Sequence, residues 1–403
     1  MSEAVALPAR EPVAGPWLRL TAQAASAATL LAVVSGAAGL DTAHRLLAAL
    51  ALPPFAALLV ASWIDHRPLF APVAAATGLF GVAALVPASG AHLALAALAF
   101  AATVVVTALV HRPVQVAFGS WRDYITLTKP RIMTLLLLTG FCGMVAGARG
   151  LPAWDVAVSA MVGLALACGG ASAINHVLDR DIDRLMGERT RRRPVAADRV
   201  PPSYALEFGL ALSAFSFVLL AATVNVLTAV LALVGNLFYV LVYTRWLKRS
   251  TPHNIVIGGA AGAVPPLVGW AAATGSLALP ALALFLIVFL WTPPHFWALA
   301  LVIKRDYAAA RIPMLPVVRG DRETARQIVL YSLALVGLTT VPFAAGWFGA
   351  VYLASALTLG AVFVLMALRL RREPTVPRAA TLFHYSLLYL ALLFAAVALD
   401  PVV

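Results

Sequence analysis

The stretch NHVLDRDIDRLMGERTRRRP, residues 175–194, gathers ten charged side chains within twenty positions, and it interrupts sequence that is otherwise almost wholly apolar. The chain of 403 residues is 62% hydrophobic and 11% charged, with a mean hydropathy of +0.92, whereas soluble domains carry about a quarter charged residues. That composition belongs to an integral membrane protein. Thirteen apolar runs of about 20 residues, the length that crosses about 30 Å of hydrocarbon, give an all-α, polytopic transmembrane helical bundle. With the N-terminus cytoplasmic, 27 of the 29 Lys and Arg residues fall in cytoplasmic loops and only Arg45 and Arg149 lie outside, as the positive-inside rule requires. The net charge of +12 is therefore explained by lipid topology. It calls for no nucleic-acid partner, which would need a basic face on a soluble fold. Cys142 and Cys168 both lie in apolar runs and read as packing residues, not as a disulfide or metal site.

The linker HRPVQVAFGSWRDYITLTKPR, residues 111–131, is basic and amphipathic, and it separates four leading spans from nine following ones. It sets a division into an N-terminal extension, 1–115, and a core, 116–403. The extension has loop histidines, His44, His66, His92 and His111. Histidines near helix ends can ligate heme iron, but isolated ones are usually solvated, so no chemistry is assigned there. In the core, the loops after residues 175, 244 and 302 are polar and patterned, and all open on the cytoplasmic face.

In the first loop Asn175, Asp179 and Asp183 are spaced by four. If the preceding helix runs on by two turns they form one stripe, each about 40° round from the last. Oxygen-bearing side chains so grouped need a partner, and Mg²⁺ fits, since it takes hard oxygen ligands and shares itself between carboxylates and phosphates. Arg189, Arg192 and Arg193 can fork onto phosphate oxygens. Asp and Arg intermixed in a loop can equally be topology-setting charge paired with its neighbours, and Arg180, Asp181, Arg184 and Asp198 read that way. The second loop, YTRWLKRSTPHN, carries Tyr243, Lys248, Arg249 and Asn254. The third, WTPPHFWALALVIKRDYAAARIPMLP, carries His295, Lys304, Arg305 and Asp306.

These three loops together resemble those of the UbiA superfamily of intramembrane prenyltransferases, and within it the heme-modifying branch. The resemblance covers about residues 120–400 and rests on LTKPRIM, NHVLDRDID, Arg189, Thr190, Arg193 and Pro194, YT..LKR.T..N, PPHFWALA and DY....IPMLPVV. The first aspartate-rich motif of the superfamily maps onto Asn175, Asp179 and Asp183. The second is half present, because Asp306 is followed four residues later by Ala310, which puts a doubled acidic metal site in question. The implied reaction moves a farnesyl group from farnesyl diphosphate to a vinyl carbon of heme b, with water captured at the neighbouring carbon. Heme is then substrate and not a fixed cofactor, and heme A synthase, a heme-oxidising enzyme, is the implied protein partner.

Under that implied reaction, Asn175, Asp179, Asp183 and Asp306 hold Mg²⁺, and Arg189, Arg193, Lys248, Arg249 and Lys304 bind diphosphate. They stabilise the charge that develops on the leaving group. Tyr243, Asn254, His295, Phe296 and Trp297, with Trp291, line an apolar pocket for heme and the isoprenoid. Lipid-facing anchorage is the rival for the aromatics. His295 is read as contacting heme iron or relaying a proton, against a buried histidine satisfied by a carbonyl. His176 and His253 are expected in loops, solvated or in contact with propionates or phosphates. The pairs Pro265–Pro266 and Pro293–Pro294 are expected to bend their spans and shape the chamber, with packing as the rival.

Two other functions compete. One is prenylation of an aromatic quinone precursor. The other is a membrane transporter, which would keep its ionisable groups near the bilayer midplane and not at the helix ends. The alanine-rich, arginine-over-lysine composition points to a bacterial plasma membrane, and the first apolar run reads as a span and not as a cleaved signal peptide.

Overall fold

A computed structural model describes residues 14–37, 41–65, 69–85, 90–110 and 119–400, and among these the regular structure is helical throughout. His66 and His111, with residues 111–118 of the linker, lie outside the described residues. In hydrocarbon each backbone N–H and C=O needs a partner within its own segment, so long apolar runs wind into helices. Eleven helices are long and apolar enough to cross a membrane, and two shorter apolar stretches, 72–85 and 95–110, accompany them, in line with the thirteen expected runs.

Four helices come first: α1 (Pro16–Ala37), α2 (Asp41–Asp65), α3 (Phe70–Leu85) and α4 (Gly90–Val110). Leu18, Phe55, Leu58, Val73, Phe80 and Val106 form a core drawn wholly from this group. It leans on the remainder through Val33, Ala97 and Phe100, which pack with Val218.

The remainder runs α5 (Trp121–Thr128), α6 (Pro130–Ala148), α7 (Trp154–Leu178), α8 (Arg180–Leu185), α9 (Glu188–Arg191), α10 (Pro202–Thr223) and α11 (Val226–Leu237). A π-helical stretch (Phe238–Leu247) follows. Then come α12 (Lys248–Ser250), α13 (Asn254–Thr274), α14 (Leu279–Val302), α15 (Lys304–Ala309), α16 (Leu315–Val318), α17 (Gly320–Ala344), α18 (Ala350–Arg372) and α19 (Val376–Leu399). Large apolar side chains such as Leu365 and Leu388 face outward, because lipid is as good a solvent for them as a core. Helix association in lipid relies on close backbone approach and on interhelical hydrogen bonds.

Both devices are present. A Cβ at Gly143 would lie 2.6 Å from the Pro266 carbonyl oxygen, and one at Gly269 would lie 1.8 Å from that of Gly140. The Pro265–Pro266 carbonyls thus lie close against the Gly140 and Gly143 backbone at the α6–α13 crossing, a tight packing contact. Asn236 Nδ2 donates to the Ala167 carbonyl at 2.9 Å and Ser216 Oγ to that of Gly163 at 2.6 Å. Cys142 is buried and Cys168 half-buried, both as free thiols.

Candidate active site

The site begins with a strap. Ser120 caps α5 in a reciprocal capping box with Asp123, which satisfies exposed N–H groups at the first turn. Leu127 at the far end is fully buried beside Ala173, Val195, Val200 and Tyr204. Its carbonyl accepts from Ser172 Oγ at 2.6 Å. The chain then turns through Lys129 at φ 51, ψ 58 into Pro130, the first residue of α6, where a missing N–H costs nothing. That turn brings Lys129 to the end of α7, and its Nζ donates to Asn175 Oδ1 at 2.7 Å.

α7 stops at Leu178, short of the two further turns expected, and Asp179 links it to α8 at φ −92, ψ 4. The winding hardly breaks: Asp179 N donates to Asn175 O at 2.9 Å and Asp183 N to Asp179 O at 2.8 Å, so the stripe survives. Asp179 and Asp183 are both 0% exposed. Asn175 Nδ2 donates to Asp179 Oδ2 at 2.8 Å and to Thr244 Oγ1 at 3.1 Å. Lys248 Nζ donates to Asp179 Oδ2 at 2.5 Å. Arg193 Nη1 donates to both oxygens of Asp183, at 2.7 and 2.9 Å. Asp179 Oδ1, buried, has no hydrogen-bond partner among the described residues.

The electrostatics follow from this crowding. Burial pushes the Lys129 ammonium down to about 7, and the neighbouring Arg193 pushes the same way. Burial raises the Asp183 carboxyl above its usual range, although Arg193 opposes it. Burial works against the Arg193 charge too, but Asp183 and Asp179 outweigh it and hold the guanidinium above its ordinary value. Burial likewise lifts the Tyr307 phenol up to about 12, with Arg193, Asp179, Asp306 and Asp183 all within its field.

The three patterned loops do meet. Asp181, Ile182 and Leu185, Arg249, and Ala310 to Ile312 line one cleft of about 150 Å³. The Asp306 carboxylate lies over Gly187, where a Cβ would come within 2.5 Å of its Oδ2, so the half-present second motif packs against the loop of the first.

Several expected site residues face elsewhere. Arg249 is committed to both oxygens of Asp181 at 2.7 Å and to the Leu178 carbonyl at 2.6 Å, on the outer side of α8. Lys304 pairs with Asp321 at 2.8 Å, and Arg192 pairs at the surface with Glu188. The side chain of Arg189 lies outside the described residues. His176, expected in a loop against solvent, a propionate or a phosphate, is 1% exposed, and among the described residues neither ring nitrogen has a hydrogen-bond partner, because α7 carries it inside next to Asn175. His253 is exposed, as expected. Arg180 and Arg184 both pair with Asp198, at 2.6 and 2.5 Å, the neighbour pairing that topology-setting charge implies.

Trp291, His295 and Trp297 are buried, whereas Phe296 and Tyr243 are half-buried. His295 stacks between Trp291, at 4.3 Å, and Phe383, at 4.8 Å, with Phe296 edge-on at 5.5 Å. Its Nδ1 lies 2.6 Å from Ser386 Oγ, a hydroxyl partner where a carbonyl was the alternative. Trp297 turns instead to α17, edge-on to Tyr331 at 5.3 Å. Tyr243 stacks on Tyr239 at 5.5 Å and closes over Gly258. Asn254, fully buried, donates to the Thr251 carbonyl at 2.7 Å and keeps an unpartnered Oδ1. Lys129, Thr244 and Tyr307 are the members of the cluster that sequence reasoning did not select. LTKPRIM had drawn attention to Lys129 as a motif, and only the turn at 129 shows that its amine reaches Asn175.

Comparison with known proteins gives a consistent picture. The profile of the family described as "UbiA prenyltransferase family" matches residues 136–394. A protein named protoheme IX farnesyltransferase from Roseiflexus sp. (strain RS-1) is 47% identical over 414 residues, covering 92% of this chain and 77% of that one. One of the same name from Symbiobacterium thermophilum is 56% identical over 281 residues, 69% of this chain and 94% of its own. Among solved structures, a UbiA homolog from Archaeoglobus fulgidus bound to GPP and Mg2+ superposes with a TM-score of 0.53 at 19% identity. It covers 68% of this chain and 99% of its own, and at that identity the likeness concerns the fold.

Proposed function

Since the chain belongs to the UbiA prenyltransferase family, we propose that it moves a farnesyl group from farnesyl diphosphate to a vinyl group of heme b, giving heme o and diphosphate. The observation that carries this reading is the buried knot of Asp179, Asp183, Lys129, Lys248 and Arg193 at the end of α7. Its relatives supply the acceptor, since both carry the name protoheme IX farnesyltransferase. Chemically, the allylic C–O bond breaks with its electron pair leaving on diphosphate. The vinyl carbon forms the new C–C bond, and water adds to the neighbouring carbon and loses a proton.

The residues present fit Mg²⁺. Asp179 Oδ1 is a buried carboxyl oxygen without a partner among the described residues, and a hard cation that keeps waters needs only one or two such oxygens besides phosphate. Asp179 and Asp183, with the Asn175 amide oxygen, would hold it; bound there, the ion would neutralise charge on the leaving diphosphate. The chain's own contribution is a set of three basic side chains, Lys129, Lys248 and Arg193, fixed around the carboxylates before substrate arrives. Pre-set positive charge in a water-poor site stabilises a developing anion with little reorganisation. No nucleophilic side chain is needed. Asp306, resting on Gly187, adds a fourth oxygen donor from the third loop. Below the polar cluster, Tyr243, Asn254, Phe296 and the His295 stack are assigned to the heme and isoprenoid. Trp297, Arg249 and Lys304 act through packing and loop pairing.

The same reading places the active face at the cytoplasmic side of a bacterial plasma membrane, residues 1–115 as an added unit, and heme A synthase as the user of the product. The test is full-length protein in detergent with heme b, farnesyl diphosphate and Mg²⁺, followed by mass spectrometry of extracted hemes. A farnesylated, hydrated heme is expected from the wild type and not from Asp179→Ala. Prenylation of an aromatic quinone precursor with no heme product would replace the reading with its rival.

A further inference from the structure

Beside the acidic cluster, one buried polar ring has no task in the transfer step. His176 is 1% exposed, and among the described residues neither of its ring nitrogens has a hydrogen-bond partner. A neutral imidazole carries one N–H and a charged one carries two, so in either form at least one donor is left bare. A buried donor in that condition has lost its water and gained no bond in exchange.

The bearing of His176 is set by α7. One residue on from Asn175 turns about 100° round the helix, while the two four-residue steps to Asp183 drift about 80° in the same sense. The bonds from Asp179 N to Asn175 O and from Asp183 N to Asp179 O keep that count through the join with α8. His176 therefore stands within about 20° of Asp183 and is an i, i+3 neighbour of Asp179. Its charged neighbours are Lys129, Arg193 and Lys248. Those three already give an N–H each to Asn175, Asp183 and Asp179, whereas His176 gives none. A bare N–H among three basic side chains suits an anionic oxygen, and neither a cation nor a second donor.

We infer that His176 is a further diphosphate-binding residue, with a ring N–H donating to an oxygen of the prenyl diphosphate beside Asp179 and Asp183. This role rests on the prenyl diphosphate reading and holds for either acceptor. Lys129, Lys248 and Arg193 supply charge, and His176 supplies direction, because an N–H bond is strong only near one line. Nothing is given up when that bond forms, since the donor has no earlier partner, and a hydrogen bond to an ionised oxygen is about twice as strong as a neutral one.

The test titrates full-length protein in detergent with inorganic pyrophosphate and Mg²⁺, read by calorimetry and by the rise in Tm that the ligand causes. His176→Phe should weaken binding about 10–100-fold, the scale of one hydrogen bond to a charged group. The Tm of the ligand-free variant should equal or exceed that of the wild type, because the change removes an unsatisfied donor. One of His176→Asn and His176→Gln, whose amide N–H groups stand near the places of Nδ1 and Nε2, should restore most of the affinity. In turnover, the KM for farnesyl diphosphate should rise in His176→Phe while that for heme stays. Wild-type affinity in His176→Phe would overturn the assignment and leave the prenyl diphosphate reading in place, whereas a wild type that binds no pyrophosphate would remove both. A lowered Tm of ligand-free His176→Phe with affinity kept would make a buried water the partner, and a KM raised for heme alone would make it a propionate; either result overturns the assignment.

Discussion

Asp179 and Asp183 on one side of the loop after α7, and Asp181 and Asp198 on the other, are the same side chain within twenty residues, put to opposite uses. The first two are fully buried and face Lys248, Lys129 and Arg193. The second two leave 67% and 61% of their side chains in solvent and pair with Arg249, Arg180 and Arg184. Burial decides the difference. An exposed ion pair contributes little, because water competes for both charges. A buried one makes each charge depend on its partner, because removal leaves the other stranded. On the proposed reading the inner set carries reactivity at a cost to stability, while the outer set ties loops together.

The contrast can be broken at graded strength. Arg193→Ala strands the Asp183 carboxylate and should cost about 3–5 kcal/mol, read as a lowered Tm in detergent, whereas an unchanged Tm would put Asp183 among the outer carboxylates. Asp179→Ala, with expression retained, should lower heme o formation by about 10²–10³-fold, the scale of losing one pre-set group at a charged transition state. Unaltered turnover would remove that carboxylate from the chemistry. Gly187→Ala places a methyl 2.5 Å from Asp306 Oδ2 and should displace that carboxylate, lowering turnover by about tenfold with Tm nearly constant. If turnover holds, Asp306 belongs to the outer set. Asp181→Asn should change stability by less than about 1 kcal/mol and leave turnover alone; a loss of activity there would erase the distinction between the two faces.

The membrane spans were legible because hydrophobic length is a one-dimensional property, and the Asn175–Asp179–Asp183 stripe because helical register is another. Arg180 and Arg184 were legible as partners of a neighbouring carboxylate, Asp198, whereas Asp181 takes its partner, Arg249, from the second loop. What the letters concealed was direction. Lys248 and Arg249 are adjacent and chemically alike, yet one reaches Asp179 and the other Asp181. Lys129 stands forty-six positions before Asn175 and arrives only through the turn at φ 51 between α5 and Pro130. His176 reads as a loop residue by its charged surroundings, while α7 in fact runs past it. The proline pair of α13 reads as a kink, but the Gly140 and Gly143 backbone against which it packs lies 125 and 123 residues upstream of Pro265 and Pro266.

The π-helical stretch at Phe238–Leu247 governs which of those adjacent cations is inward. A hydrogen-bond step of five residues advances round the axis more slowly than 3.6 residues per turn, so the lag accumulated by Lys248 amounts to a good part of a revolution. The same ten letters wound evenly would turn that amine away from Asp179. Aim, in this molecule, is a matter of pitch: a side chain's chemistry is written at its own position, but its compass bearing is set by the ten residues before it.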